Sequence, residues 1–211
     1  MTEAQQYWDQ RYGEKERMWS GRVNRRLAEV TETLPPGEAL DLGCGEGADA
    51  RWLAERGWRV VAVDISSTAL DRGVQDARAA GLADRIDFQR HDLSETFPEG
   101  SFDLVSAQFL HTPIALDRDE VLRRAASAVR PGGVLLIVDH GSTPPWAWDL
   151  GGHHAHHVLP SVEQVIAGLR LDPQRWDVLR AEPVDREAIG PEGQVATIAD
   201  NVFVFRRHAA S

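Results

Sequence analysis

Residues 38–47 read Glu-Ala-Leu-Asp-Leu-Gly-Cys-Gly-Glu-Gly, an apolar run that ends in glycines at 43, 45 and 47. Glu38–Gly43 has strand length, and Ala48–Arg56 behind it carries helix formers with apolar residues three to four apart. Glycine at a strand-to-helix turn lets the backbone reverse tightly and approach a ligand with no Cβ in the way. The alternation continues outward from this turn. Trp58–Asp64, Arg85–His91, Phe102–Gln108 and Val134–His140 read as further strands, with helices at Thr68–Ala80 and Asp119–Val129. The strands at 58–64 and 134–140 are almost unbroken Val, Leu and Ile, the pattern of strands covered on both faces. Strand and helix in alternation imply right-handed crossovers and a parallel α/β sheet with helices on both faces.

The flanks are punctuated. Leu34-Pro35-Pro36-Gly37 separates an N-terminal helical region, about Glu3–Thr33, from the first strand, and Arg130-Pro131-Gly132-Gly133 stops a helix before the fifth. Toward the C-terminus, Ser161–Leu169 reads as a helix with Ser161 as its N-cap, and Trp176–Ala181 and Asn201–Arg206 read as strands. A length of 211 residues implies one domain over 1–211, with residues 1–34 as a helical lid and 141–160 as an insertion at the carboxyl edge of the sheet.

Composition removes several chemistries. One cysteine, Cys44, makes neither an internal disulfide nor a multi-cysteine zinc site, and the one lysine, Lys15, has no glycine-rich loop around it. A formal charge of −10 disfavours nucleic acid, despite a local Arg22, Arg25, Arg26 group that reads as a solvated helix face. No apolar run is long enough to span a membrane, and the polar N-terminus is unlike a secretory leader. The expectation is a soluble, cytoplasmic protein that acts on a small molecule.

The chemistry centres on the glycine turn. Asp41 precedes it, Asp64 ends the second strand 21 residues after Gly43, and Asp92 follows the third. All three fall at the carboxyl edge, where open α/β sheets bind ligands. Each also has a plainer role: Asp41 as a cap of the loop, Asp64 and Asp92 as helix N-caps, Cys44 as a small packed residue. A nicotinamide-dependent oxidoreductase uses the same fold with an acid after the second strand, but its fingerprint is G-x-G-x-x-G, whereas this turn is G-x-G-x-G.

Asp41–Gly47 (DLGCGEG), Val63–Ser66 (VDIS), His91–Leu93 (HDL), Phe102–His111 (FDLVSAQFLH) and Arg130–His140 (RPGGVLLIVDH) together resemble the class I S-adenosylmethionine-dependent methyltransferases over about Glu38–His140. Tyr7–Tyr12 (YWDQRY), with Trp19 behind it, is more weakly similar to the lid of the thiopurine and tellurite-resistance branch. The resemblance implies a Rossmann-like doubly wound sheet of seven strands, the last antiparallel. It implies S-adenosylmethionine as cofactor, with Asp41, Gly43 and Gly45 at its amino-acid end, Asp64 on the ribose diol, Ile65 against adenine, Asp92 and Leu93 at the adenine edge, and Gln108 beneath the methyl group. From the lid it implies contacts by Trp8, Arg11 and Trp19. A methyl acceptor bearing an O, S or N nucleophile, small and aromatic, is expected; a tellurite or thiol methyltransferase and a non-catalytic cofactor- or metal-binding protein stand as alternatives.

Methyl transfer is an in-line displacement, so the protein aligns a nucleophile and in some cases deprotonates it. His111 after the fourth strand and His140 at the end of the fifth are candidate catalytic residues, each with a capping or carbonyl-binding alternative. Asp139 is the weaker candidate, because alternation along a regular strand turns it to the opposite face. Trp146 and Trp148 are candidate substrate walls, or packing for the insertion. His153, His154, His156 and His157 have spacing that can chelate a metal on a helix, or form a polar loop. The sequence leaves the oligomeric state open.

Overall fold

The computed structural model describes residues 1–147 and 159–209. These form one seven-stranded sheet in the order β3-β2-β1-β4-β5-β7-β6. The strands are β1 (Glu38–Leu42), β2 (Arg59–Asp64), β3 (Ile86–Arg90), β4 (Phe102–Gln108), β5 (Val129–His140), β6 (Trp176–Ile189) and β7 (Val195–Arg207). β1 to β5 pair in parallel, while β7 runs antiparallel to both β5 and β6. The helices are α1 (Glu3–Gly13), α2 (Arg25–Thr31), α3 (Ala48–Glu55), α4 (Ser67–Ala79), α5 (Arg118–Ala128) and α6 (Val162–Leu169).

The strand alternation read from the sequence sorts the core into two layers. Leu40, Leu42, Val105, Leu135, Ile137, Phe203 and Phe205 pack on one face with Val121, Leu122 and Ala125 of α5 and Val165 and Leu169 of α6. Ala39, Leu104, Leu136, Val138, Val202 and Val204 pack on the other with Leu27 of α2 and Ala50, Leu53 and Ala54 of α3. Successive strand residues thus bury on opposite faces, and covering both excludes water from the central strands, while the edge strand β6 stays largely exposed. The strand order reverses between β1 and β4, which opens a crevice at their carboxyl ends.

Two regions differ from the sequence reading. The N-terminal stretch is two helices joined by residues 14–24, because Gly21 adopts a left-handed φ of 68° in that connection. The last two strands extend well beyond 176–181 and 201–206. Residues 182–188 mix charges with Pro183 and carry no local strand signal, yet Pro183 pairs with Asn201 and Ile189 with Val195. An edge strand tolerates proline because its outward side needs no donor. β5 ends opposite Asp200 at His140, so most of the hairpin between Asp185 and Ala199 projects past the sheet, over the carboxyl edge. Among the described residues no helix is long and apolar enough to cross a membrane.

Candidate active site

The glycine turn takes the conformation its composition requires. Gly43 and Gly45 have φ of 69° and 53°, and a Cβ on Gly45 would lie 2.9 Å from the Tyr12 hydroxyl. Only glycine meets both demands at little cost. Asp64 stiffens the turn from behind: Gly45 N–H donates to its Oδ2 and Ser66 N–H to its Oδ1, each at 2.9 Å. Burial raises the Asp64 carboxyl above its usual range despite those N–H donors. Asp41 is 2% exposed, and its Oδ2 has no hydrogen-bond partner. Burial first, then the nearby Asp49 and Asp64, pushes its carboxyl well up. Burial also lifts Asp49 to about 6, against the donated Asn24 N–H at 2.6 Å. Three carboxylates crowded beside a turn of backbone N–H groups fit a ligand with a cationic end, which would satisfy the orphaned Asp41 oxygen. Burial and the neighbouring Asp64 and Asp41 push the Cys44 thiol up as well, so it is held as a packed thiol and not a nucleophile.

The N-terminal residues roof this turn. Asp9 of α1 accepts from Ser66 Oγ at 2.7 Å and from Thr68 N–H at 3.1 Å, docking the helix on the start of α4. Arg72 donates to Glu46 and to the carbonyls of Tyr12 and Lys15, each at 2.9 Å. Buried Glu46 in turn accepts the N–H groups of Met18 and Trp19. Trp19 Nε1 donates to Tyr12 Oη at 3.0 Å directly above Gly45, and Trp8 Nε1 donates to Thr112 Oγ1 at 3.2 Å. Asp92 accepts from Thr2 Oγ1 and from Ser94; burial opposes these donors, but together they hold its carboxyl below the usual range.

One cavity of about 770 Å³ connects these parts, and it is lined by Trp8, Arg11, Trp19, Asp41, Gly43, Gly45, Asp64, Ile65, Asp92, Leu93, Gln108, His111 and His140 among others. All the candidate cofactor and catalytic residues therefore share one wall system. At its far end Phe109 has φ 52°, a left-handed conformation that costs a non-glycine residue about 1–2 kcal/mol. That kink stacks Phe109 on His140, with ring centroids 4.4 Å apart, and brings His111 to 5.5 Å from His140. Gln108 donates to Ser106 Oγ at 2.7 Å and keeps its Oε1 without a partner.

Asp139 lies off the cavity wall that His140 lines, as alternation along the strand predicts. It is fully buried, and its Oδ1 lies 3.4 Å from His111 Nε2, off the line of a hydrogen bond. The kinked loop, and not the strand, brings the histidine to it. Arg118 donates to the same oxygen and to the Leu110 carbonyl, tying α5 to the 109–116 loop. Trp146 is not among the cavity residues: it packs against the hairpin tip, where a Cβ on Gly190 would meet it at 2.9 Å. Trp148 and the histidines at 153, 154, 156 and 157 lie outside the described residues. Among the described residues no group of three or more His, Cys, Asp or Glu is arranged to hold a metal.

A family described as methyltransferase domain matches residues 39–133, the β1–β5 region that carries the glycine turn and the acids. The methyltransferase GfsG of Streptomyces halstedii is 35% identical over 122 residues, 56% of this chain and 43% of that protein. The 27-O-demethylrifamycin SV methyltransferase of Amycolatopsis mediterranei is 34% identical over 137 residues, 63% of this chain and 49% of that protein. A structure solved in work on the conversion of a disulfide bond into a thioacetal group during echinomycin biosynthesis has a TM-score of 0.75 and 27% identity, covering 98% of this chain and 94% of that one. Over residues 39–133 the chain carries a methyltransferase domain of the class I S-adenosylmethionine-dependent kind. It spans about half the length of the curated methyltransferases it matches. The domain match favours the methyl donor over the nicotinamide cofactor that the glycine turn left open.

Residues of the site that sequence reasoning missed fall into two kinds. Asp49, Glu46 and Tyr12 stand in or near quoted motifs, and the proximity of Glu46 and Asp49 to the glycines was a usable signal. Arg72, Arg118, Arg186 and Asp200 reach the site by long-range packing, and nothing local marks them.

Proposed function

We propose that this protein transfers the methyl group of S-adenosylmethionine to an O, S or N nucleophile on a small aromatic molecule. The observation that carries this reading is the single cavity: a glycine turn with crowded carboxylates at one end, stacked Phe109, His140 and His111 rings at the other, and the roof of residues 1–24 over both. Bound there, the cofactor supplies an electrophilic methyl carbon on a sulfonium. Asp41 and the N–H groups around Gly43 and Gly45 would hold its charged amino-acid end. The free lone pairs of Asp64 would accept the ribose hydroxyls while Gly45 and Ser66 fix the carboxylate from behind. Ile65 and Leu93 would sandwich the adenine, with Asp92 accepting from its amine in place of, or beside, Thr2.

At the reacting end His111 would take the proton from the acceptor, since a neutral imidazole is a competent base near neutral pH. Asp139 lies close enough to stabilise the imidazolium that forms. The face of His140 would position a flat acceptor. The roof of residues 1–24 acts in this reading as a lid that excludes water, which strengthens the pairing of carboxylates with a cation. The names of relatives such as the 27-O-demethylrifamycin SV methyltransferase and the 2-heptyl-1-hydroxyquinolin-4(1H)-one methyltransferase support a small-molecule acceptor.

Calorimetry tests the cofactor half. S-adenosylmethionine and S-adenosylhomocysteine are expected to bind wild type and to bind Asp64→Asn at least about tenfold more weakly, the cost of charge-assisted hydrogen bonds. Binding of NAD with no binding of either adenosyl compound overturns the reading. Formation of S-adenosylhomocysteine only when a phenol, thiol or amine acceptor is added distinguishes an enzyme from a binder.

A further inference from the structure

The cavity is divided by charge. Asp41, Glu46, Asp49, Asp64 and Asp92 lie on the cofactor side, whereas Arg26 and Arg186 line the wall built by α2 and the projecting β6–β7 hairpin. Arg186 is anchored on one side only. Arg186 Nε donates to Asp200 Oδ1 and Oδ2 at 3.0 and 2.9 Å, and its terminal nitrogens have no acceptor among the described residues. Arg26 is 5% exposed; its terminal nitrogens reach Glu29 and the Asp185 carbonyl, while its buried Nε–H has no partner. The terminal N–H groups that Arg186 leaves free on the cavity wall give an anion its donors. The Asp185 carbonyl seats Arg26 one residue before Arg186 in the chain, so the two guanidinium groups share a wall.

The register places this wall beside the reacting end. Asp200, which holds Arg186, is the cross-strand partner of His140, and the His140 ring stacks with those of Phe109 and His111. Planar guanidinium forks match carboxylates, and an aromatic ring lying along the three stacked rings would carry such a group from the arginines toward His111. Building on the methyltransferase reading, we propose that Arg186, backed by Arg26, is a carboxylate subsite, and that the methyl acceptor is an aryl acid whose anionic group is held there while its nucleophile faces His111.

The test uses the full chain saturated with S-adenosylhomocysteine. Benzoate, salicylate, 4-hydroxybenzoate and cinnamate are titrated in parallel with their primary amides, which match them in shape and lack the charge. The acids that bind are expected to do so about ten- to a hundredfold more tightly than their amides, the range for hydrogen bonds to charged groups. Arg186→Lys keeps a cation beside Asp200 but removes the fork, and is expected to reduce that preference to within a few-fold without changing S-adenosylhomocysteine affinity. Amides that bind as well as acids, no acid binding to the loaded protein, or an undiminished preference in Arg186→Lys each overturn the subsite. The acid–amide comparison in wild type stands without any variant. If S-adenosylhomocysteine itself does not bind, it is the methyltransferase reading that fails.

Discussion

Asp41 carries a carboxylate oxygen that no N–H reaches, and it shares its surroundings with Asp49 and Asp64. A carboxyl whose folded pKa is raised favours the protonated form, so each of these acids costs the free protein stability as pH rises from the unfolded value toward the folded one. For Asp49 that window runs from 3.8 to about 6. A cation in the cavity reverses the preference by lowering those values. S-adenosylmethionine affinity is therefore expected to weaken as pH falls from 7 to 5, with protons released on binding near pH 6. Calorimetry in two buffers of different ionisation enthalpy measures that release, and pH-independent affinity would contradict the assignment. His111 makes a separate prediction: His111→Gln should lower kcat by a factor of about 10²–10⁴ while leaving S-adenosylhomocysteine affinity unchanged. An unchanged kcat would remove it as the base.

At the scale of elements, the roof over the glycine turn is held by polar side chains more than by apolar packing. Glu46 is buried and serves three donors, from Arg72, Met18 and Trp19, while Trp19 itself is 56% exposed. Arg72→Ala removes the donor that also holds the Tyr12 and Lys15 carbonyls. A loss of about 1–3 kcal/mol is expected, the range for hydrogen bonds to a buried charge, appearing as weaker cofactor binding and faster proteolysis within residues 14–24. Limited digestion with and without S-adenosylhomocysteine reads this directly; a wild-type digestion pattern in the variant would show that the latch is elsewhere. The glycine turn and the five parallel strands were legible because their signals are local: apolar runs, glycine spacing and acids at strand ends. The hairpin was not. Residues 182–188 look like a loop until residues 196–202 supply the backbone partners that make them a strand.

At the scale of the molecule, the active end is joined to the core through Arg118. It links the first turn of α5 to buried Asp139 and to the Leu110 carbonyl. Removing one partner of a buried pair leaves an uncompensated charge, so Arg118→Ala is expected to cost about 3 kcal/mol. In a chain of 211 residues that corresponds to a fall in Tm of about 6–12 °C. Thermal unfolding checks the value, and a shift below about 2 °C would mean that Asp139 finds another partner. The sequence by itself determined the sheet, its two-sided core and the glycine turn with its acids, because burial on both faces and a tight turn impose short-range patterns on composition. Tertiary structure alone decided that Asp139 meets His111, that Trp146 packs on the hairpin, and that Arg186 and Asp200 line the cavity. Those contacts join segments distant in the chain, and a side chain's partner across such a distance is set by strand register and loop path, which leave no mark on neighbouring residues.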